Sequence, residues 1–215
     1  MTTWLVDAIL FDLDGTLVDS AGSVERSWKQ LADKIGRPWP EVQPHIHGVP
    51  VAQVMALLEP DMPAERVEEM RLFMVESEST DTVGVVAQPG ALDVLAVLPA
   101  DRVAIVTSGG VRLASSRIAA AGLPTPAVVV TADDVSVGKP DPAPYLMGAK
   151  LLGFPAERCL VVEDAPAGVI SAKAAGCPVI GVLTTHAALD APSVTSLDQV
   201  TFTPVDGGIE VSIPG

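Results

Sequence analysis

The chain has 215 residues, enough for one large domain or a core with a smaller insertion, and 48% of them are apolar. With only 4% aromatics its core must be built from Ala, Val, Leu and Ile, and a charged fraction of 19% is too low for intrinsic disorder. The net charge of −14 opposes attraction to nucleic acid or an anionic membrane, while a small anionic substrate can still enter a locally positive pocket.

In chain order, the first apolar run is Ala8–Phe11, which leads directly into Asp12-Leu13-Asp14-Gly15-Thr16. Asp7 interrupts the region before it and no basic stretch precedes it, so no signal peptide is expected. No uncharged run reaches the roughly 20 residues of a membrane helix. From about Asp19 to Val86 the pattern is helical, with Ser23–Ile35, Val51–Leu58 and Ala64–Ser77 separated by prolines. This is too long for a simple strand-to-helix connection. It predicts a small all-helical domain, residues 19–86, inserted after the first strand of a core formed by residues 1–18 and 87–215.

The chain returns near Gln88-Pro89-Gly90, a hinge, and continues into a helix over Ala91–Leu98. Short apolar runs then recur at Val103–Val106, Val128–Val130, Leu160–Val162 and Val179–Val182. Helical patterns at Arg112–Ala121, Ala143–Leu152 and Ala167–Ala175 separate them, each stopped by a glycine: Gly122, Gly153 and Gly176. A last strand candidate is Ile209–Ile213. Short, uniformly apolar strands alternating with helices predict an α/β, Rossmann-like core, a parallel sheet with helices on both faces. Cys159 and Cys177 lie in separate apolar segments without metal-ligand spacing, and read as small buried residues of a reducing, cytoplasmic compartment.

Ligands of an open parallel sheet bind beyond the carboxyl ends of its strands. Those ends carry Asp12 and Asp14, Thr107 and Ser108, and Glu163 and Asp164, while the loop after the third run carries Lys139. On an extended backbone residues i and i+2 lean to the same side. Asp12 and Asp14 would then face one small volume, and with Asp164 they would repel unless a cation joined them. Hard oxygen ligands with room for water suit Mg²⁺. A carboxylate there can also act as a nucleophile, with the Thr107 hydroxyl and Lys139 stabilising a phosphoryl group. Taken singly, each residue has an ordinary reading: Asp12 or Asp14 a turn cap, Lys139 a solvated lysine, Glu163-Asp164 a favourable helix start.

Together these segments resemble a known family. FDLDGTLVDS from Phe11, VAIVTSG from Val103, VGKPDP from Val137 and VVEDAPAGVISAKAAG from Val161 are similar, in that order, to the four motifs of the haloacid dehalogenase-like hydrolases. The resemblance covers nearly the whole chain, and the helical insertion looks like that family's cap domain. It implies Asp12 as the nucleophile that forms an aspartyl-phosphate, and Asp14 as general acid and then base. It implies Thr107, Ser108 and Lys139 as phosphate-binding residues. Mg²⁺ would be held by Asp12, the main-chain carbonyl of Asp14, Asp164 and Glu163, the last directly or through water. The dehalogenases of the superfamily lack an acid at the position of Asp14, so its presence argues for phosphate transfer.

Within the family, GKPDPAPYLMGAKLLGFP from Gly138 is closest to the 2-deoxyglucose-6-phosphatase and glycerol-3-phosphatase branch. The resemblance therefore implies a phosphatase acting on a small phosphorylated sugar or polyol; from the charge and the lack of a signal or membrane run, a cytoplasmic protein with no nucleic-acid or membrane partner is expected, with a monomer as the default. His47 and Gly48, in a loop of the helical insertion, are the candidates for substrate contact; the alternative is a surface turn. A sugar phosphomutase on the same scaffold would need a cation in that loop, yet no Lys or Arg occurs between Arg37 and Arg66. Family mutases also carry Lys and Asn after the second motif, where this chain has Ser108-Gly109-Gly110. A non-catalytic binding module of the same fold is the remaining alternative, and the intact motifs argue against it.

Overall fold

A computed structural model describes residues 1–46 and 49–215. The chain forms two compact units, Met1–Asp19 with Val86–Gly215, and Ser20–Val85. The first begins with strands β1 (Thr2–Val6), β2 (Ala8–Phe11) and β3 (Val18–Asp19). The second carries helices α1 (Ala21–Ile35), α2 (Trp39–Val42), α3 (Val51–Leu58) and α4 (Ala64–Thr80). The core then resumes with β4 (Val86–Ala87), α5 (Ala91–Val97), β5 (Val103–Val106), α6 (Val111–Ala120), β6 (Val128–Val130) and α7 (Ala143–Leu152). It ends with β7 (Cys159–Glu163), α8 (Pro166–Ala174), β8 (Val179–Val182), β9 (Ser193–Val194), β10 (Thr201–Val205) and β11 (Gly208–Ile213).

The core is a six-stranded parallel sheet in the order β6-β5-β2-β7-β8-β9, flanked by helices. β2 lies between β5 and β7, with Phe11 opposite both Ile105 and Val162, so the carboxyl ends of these three strands are level. All four residues of β2 are fully buried, which is why the segment reads as a continuous apolar run rather than an alternation. On one face Leu10, Ala104, Val106 and Val161 pack with Tyr145 and Ala149 of α7 and with Val169 and Ala172 of α8. Toward the other face, the Phe11 ring meets that of Phe202, centroids 6.0 Å apart and tilted by 54°. Gly122, Gly153 and Gly176 all take positive φ, the left-handed stops that close α6, α7 and α8.

Five short strands go beyond the sequence reading. β9 adds a sixth strand, β3 and β4 pair antiparallel where the chain leaves and re-enters the core, and β1-β11-β10 form a separate antiparallel sheet. Pro204 within β10 argues against a central strand, and β10 is indeed an edge strand, where a missing N–H is tolerated. The helical unit has its own core, in which Trp28, Leu31, Val42, Val54, Met55, Met70 and Met74 are buried and Trp39 packs alongside. Cys159 and Cys177 are free and buried, and burial pushes both thiols up to about 12, far from reactive. Among the described residues no helix is long and apolar enough to cross a membrane.

Candidate active site

The chain leaves the sheet at Phe11, so Asp12 and Asp14 are not both strand residues as the i, i+2 argument supposed. Asp12 still continues the ladder by donating its N–H to the carbonyl of Val162 at 3.0 Å. Leu13, between the two acids, is fully buried, and the two carboxylates meet different cations. Asp12 faces Lys139, whereas Asp14 is ion-paired with Arg117, Nε to Oδ1 3.3 Å.

Lys139 is the hub. Its Nζ donates to Asp12 Oδ1 at 2.6 Å, to Glu163 Oε1 at 2.7 Å and to the carbonyl of Val106 at 2.9 Å, which uses all three ammonium hydrogens. Tyr145, fully buried on α7, donates its hydroxyl to the same Glu163 oxygen at 2.8 Å, and its ring lies 4.9 Å from Nζ. The second Glu163 oxygen accepts the N–H groups of Asp164 and Ala165 at 2.9 and 3.0 Å. Glu163 thus anchors Lys139 while its own carboxylate is saturated.

Asp164 is approached by three hydroxyl or ring donors. Thr16 Oγ1 donates to Oδ1 at 3.4 Å, Thr185 Oγ1 donates to Oδ2 and lies 3.0 Å from the main-chain oxygen, and His186 Nδ1 reaches that oxygen at 3.3 Å. Gly15 has φ +91°, and a Cβ there would fall 2.1 Å from Asp164 Oδ2. Only glycine allows the turn after Asp14 to pass this carboxylate.

Asp12, Glu163 and Asp164 offer oxygen atoms all within 4.8 Å of one another, and all three residues are buried. Burial raises the Asp12 carboxyl well above its ordinary value, and the Glu163 and Asp164 charges add to this against the opposing pull of Lys139. Burial, then the Glu163 charge, likewise carries Asp164 up to about 7. Burial alone would lower Lys139, but the Asp12 and Glu163 carboxylates outweigh it and hold the ammonium above its usual value. One ammonium cannot neutralise three carboxylates, so the cluster has a surplus of negative charge that a divalent cation would relieve. The donor set, carboxylates alone, is the one hard cations take.

Thr107 follows β5, next to Val106 and hence to the Lys139 contact. Its hydroxyl accepts the N–H of Gly109 at 3.0 Å, which leaves its hydrogen to be donated outward. Ser108 is exposed in the same turn. Val111 N–H, at the start of α6, is capped by Asp133 Oδ2 at 2.8 Å, and Asp133 and Asp134 belong to a short 3-10 turn opened by Thr131. The Asp14 carboxylate stands outside the three-acid group. His47 and Gly48 lie outside the described residues.

A family model described as haloacid dehalogenase-like hydrolase matches residues 6–176. The chain belongs to the haloacid dehalogenase-like hydrolases. It is 46% identical over 200 residues to hexitol phosphatase A of Escherichia coli (strain K12), covering 89% of this chain and 88% of that protein. It is 33% identical over 194 residues to glycerol-1-phosphate phosphohydrolase 2 of Saccharomyces cerevisiae, covering 84% and 76%. Among solved structures, a hydrolase from Pseudomonas syringae aligns with a TM-score of 0.73 at 30% identity, over 83% of this chain and 85% of that chain.

Several groups of this haloacid dehalogenase-like site escaped the sequence reading. Tyr145 looks like a core aromatic on an apolar helix face, and Thr184, Thr185 and His186 look like a polar loop after β8. Thr184 Oγ1 donates to the carbonyl of Gly15 at 2.6 Å, which ties that loop to the turn after Asp14. Arg117 did leave a signal. It falls at helical spacing between the buried Ala114 and Ile118, and a charge on the buried stripe of a helix needs a partner.

Proposed function

We propose that this chain is a Mg²⁺-dependent phosphatase that hydrolyses a small phosphorylated sugar or polyol through an aspartyl-phosphate on Asp12. The observation that carries the reading is the Asp12 carboxylate, buried and held by Lys139 beside Glu163 and Asp164 at the carboxyl edge of the sheet. The named relatives, phosphatases of hexitol and glycerol phosphates, support the substrate class. The helical unit Ser20–Val85 takes the part of a substrate-selecting cap.

In the first half-reaction a carboxylate oxygen of Asp12 bonds to phosphorus. The phosphorus–oxygen bond to the sugar or polyol breaks, and the departing oxygen keeps the electron pair and takes a proton from Asp14. In the second half-reaction Asp14, now a carboxylate, takes a proton from water as the water oxygen bonds to phosphorus. The bond to Asp12 breaks, phosphate leaves and both acids return to their starting states. Lys139 stabilises the carboxylate before attack and the phosphoryl oxygens during it, and Thr107 donates its hydroxyl to them. Asp12, Asp164 and the main-chain carbonyl of Asp14 would hold Mg²⁺, which supplies charge neutralisation for the phosphoryl group, while Glu163, its carboxylate already filled by Lys139, Tyr145 and two N–H groups, would contribute its charge without a direct bond. Several converging groups are needed because uncatalysed monoester hydrolysis is among the slowest reactions known, with enhancements reaching ~10²¹-fold.

The test is phosphate release from hexitol, glycerol, hexose and pentose phosphates in Mg²⁺, with a hexose phosphate plus bisphosphate primer to detect isomerisation. Release from the polyol or sugar esters supports the reading. Isomerisation without release would establish a mutase, and no reaction with any ester would remove the phosphatase.

A further inference from the structure

We infer that Arg117 is the positioning residue of the general acid: it holds the Asp14 carboxyl group in the orientation from which the leaving oxygen is protonated. The inference rests on the phosphatase reading above and extends it to a residue outside the four motifs.

The Arg117 side chain is 1% exposed, the Asp14 side chain 31%, and the guanidinium Nε lies 3.3 Å from Asp14 Oδ1. The reach follows from helix geometry. Side chains on a helix lean toward its N-terminus, and the N-terminus of α6 adjoins the carboxyl end of β5, where the site lies. An arginine two turns into α6 can therefore run back beneath the helix and arrive behind Asp14.

Stability alone does not call for an arginine here. A buried ion pair replaced by hydrocarbon is often neutral or stabilising, and because the Asp14 side chain is one-third exposed, a hydrocarbon in place of Arg117 leaves no fully buried charge alone. The neighbours of Arg117 along the buried stripe of α6 are Ala114 and Ile118, which such a residue would suit. The group that gains from the cation is Asp14. A carboxylate one-third exposed on a turn has several rotamers, and a fixed charge behind it selects one. When Asp14 gives up its proton, the carboxylate formed already faces that charge.

The test uses the chemistry of the leaving group. An alkoxide departing from a sugar or polyol phosphate must be protonated, whereas nitrophenolate leaves as a stable anion. For an enzyme with a covalent intermediate, kcat/KM reports only the steps through departure of the leaving group. Arg117→Met is measured with the fastest alkyl phosphate of the panel above and with p-nitrophenyl phosphate. The expected result is a fall in kcat/KM of roughly 10- to 100-fold for the alkyl ester and less than about 3-fold for the nitrophenyl ester. Arg117→Lys, which keeps the charge with a shorter reach, should give an intermediate ratio of the two esters. In an Asp14→Asn background Arg117→Met should add no further loss with the alkyl ester.

Equal losses on both esters, or additive losses in the double variant, overturn the assignment while leaving the phosphatase reading intact. So does a gain in alkyl-ester hydrolysis, which would mean that Arg117 restrains Asp14 instead. If Arg117→Met fails to fold, Arg117→Lys decides: an unchanged ester ratio overturns the proposal and a lowered one supports it. If the wild-type protein hydrolyses neither ester, the phosphatase reading fails first and this assignment with it.

Discussion

Gly168 and Glu163 share a space that admits no further atom: a Cβ on Gly168 would fall 1.6 Å from Glu163 Oε1. The glutamate cannot simply swing aside, because Lys139, Tyr145 and the N–H groups of Asp164 and Ala165 all donate to it. Gly168→Ala is therefore expected to destabilise the fold by about 1–3 kcal/mol, the usual range for overpacking. It should also lower kcat, because displacing Glu163 removes the anchor of Lys139. Urea unfolding and steady-state kinetics on the same preparation measure both. A variant of wild-type stability and activity would show that Glu163 has another resting place.

Asp12→Asn removes the nucleophile and keeps the shape. The amide oxygen can still accept from Lys139, and Lys139 retains Glu163 and Val106 as acceptors. Turnover should fall by at least about 10³-fold, as it does when a covalent catalyst loses its attacking atom. The melting temperature should stay close to that of the wild type. Near-normal hydrolysis by this variant would take Asp12 out of the mechanism.

Much of this arrangement can be read from the chain before folding, for reasons that differ by residue. The runs Val51–Leu58 and Ala143–Leu152 coincide with α3 and α7 because their ends carry unambiguous punctuation, Pro50 before the one and Gly153 after the other. Asp12, Thr107, Lys139 and Asp164 are visible because each directly follows, or lies in the loop following, an apolar run, and a parallel sheet brings such ends together. Tyr145 and Thr185 are not visible. Their roles depend on which residue of a helix or loop meets Glu163 or Asp164, a matter of packing that local pattern does not encode. Pro204 hides β10 in the opposite way, since a residue that forbids a central strand is compatible with an edge strand.

Removal of the divalent ion should abolish phosphate release in excess EDTA, and added Mg²⁺ should restore it. The acid cluster predicts a second effect, independent of turnover. Asp12 and Asp164 are buried close to like charge, so a cation that binds only the folded state raises the melting temperature in proportion to the logarithm of its concentration above Kd. The wild-type melt should rise with Mg²⁺, and that of Asp164→Asn should rise much less. Full activity without metal, or identical Mg²⁺ dependence of the two melts, would contradict the metal-site reading.

Away from the site, Asp7 links the β1–β2 junction to the segment before β7. Arg158 donates to its two carboxylate oxygens at 2.7 and 2.9 Å, and Asp7 N–H donates to the Arg158 carbonyl at 2.7 Å. The hydrogen bonds from Arg158, more than its charge, hold the Asp7 carboxyl below its ordinary value. A carboxyl whose pKa is lower in the folded than in the unfolded state stabilises the fold at pH above the unfolded value of about 3.9. That contribution disappears as pH falls through the lower, folded value. Asp7→Asn should therefore unfold at lower urea than the wild type near pH 7. The gap between the two midpoints should hold down to about pH 5 and close progressively below pH 4. The buried acids of the site titrate alike in both proteins and cancel in the difference. A gap that stays constant from pH 7 to pH 3 would mean that Asp7 acts through shape and neutral hydrogen bonding, and that its charge adds nothing to the stability of the sheet.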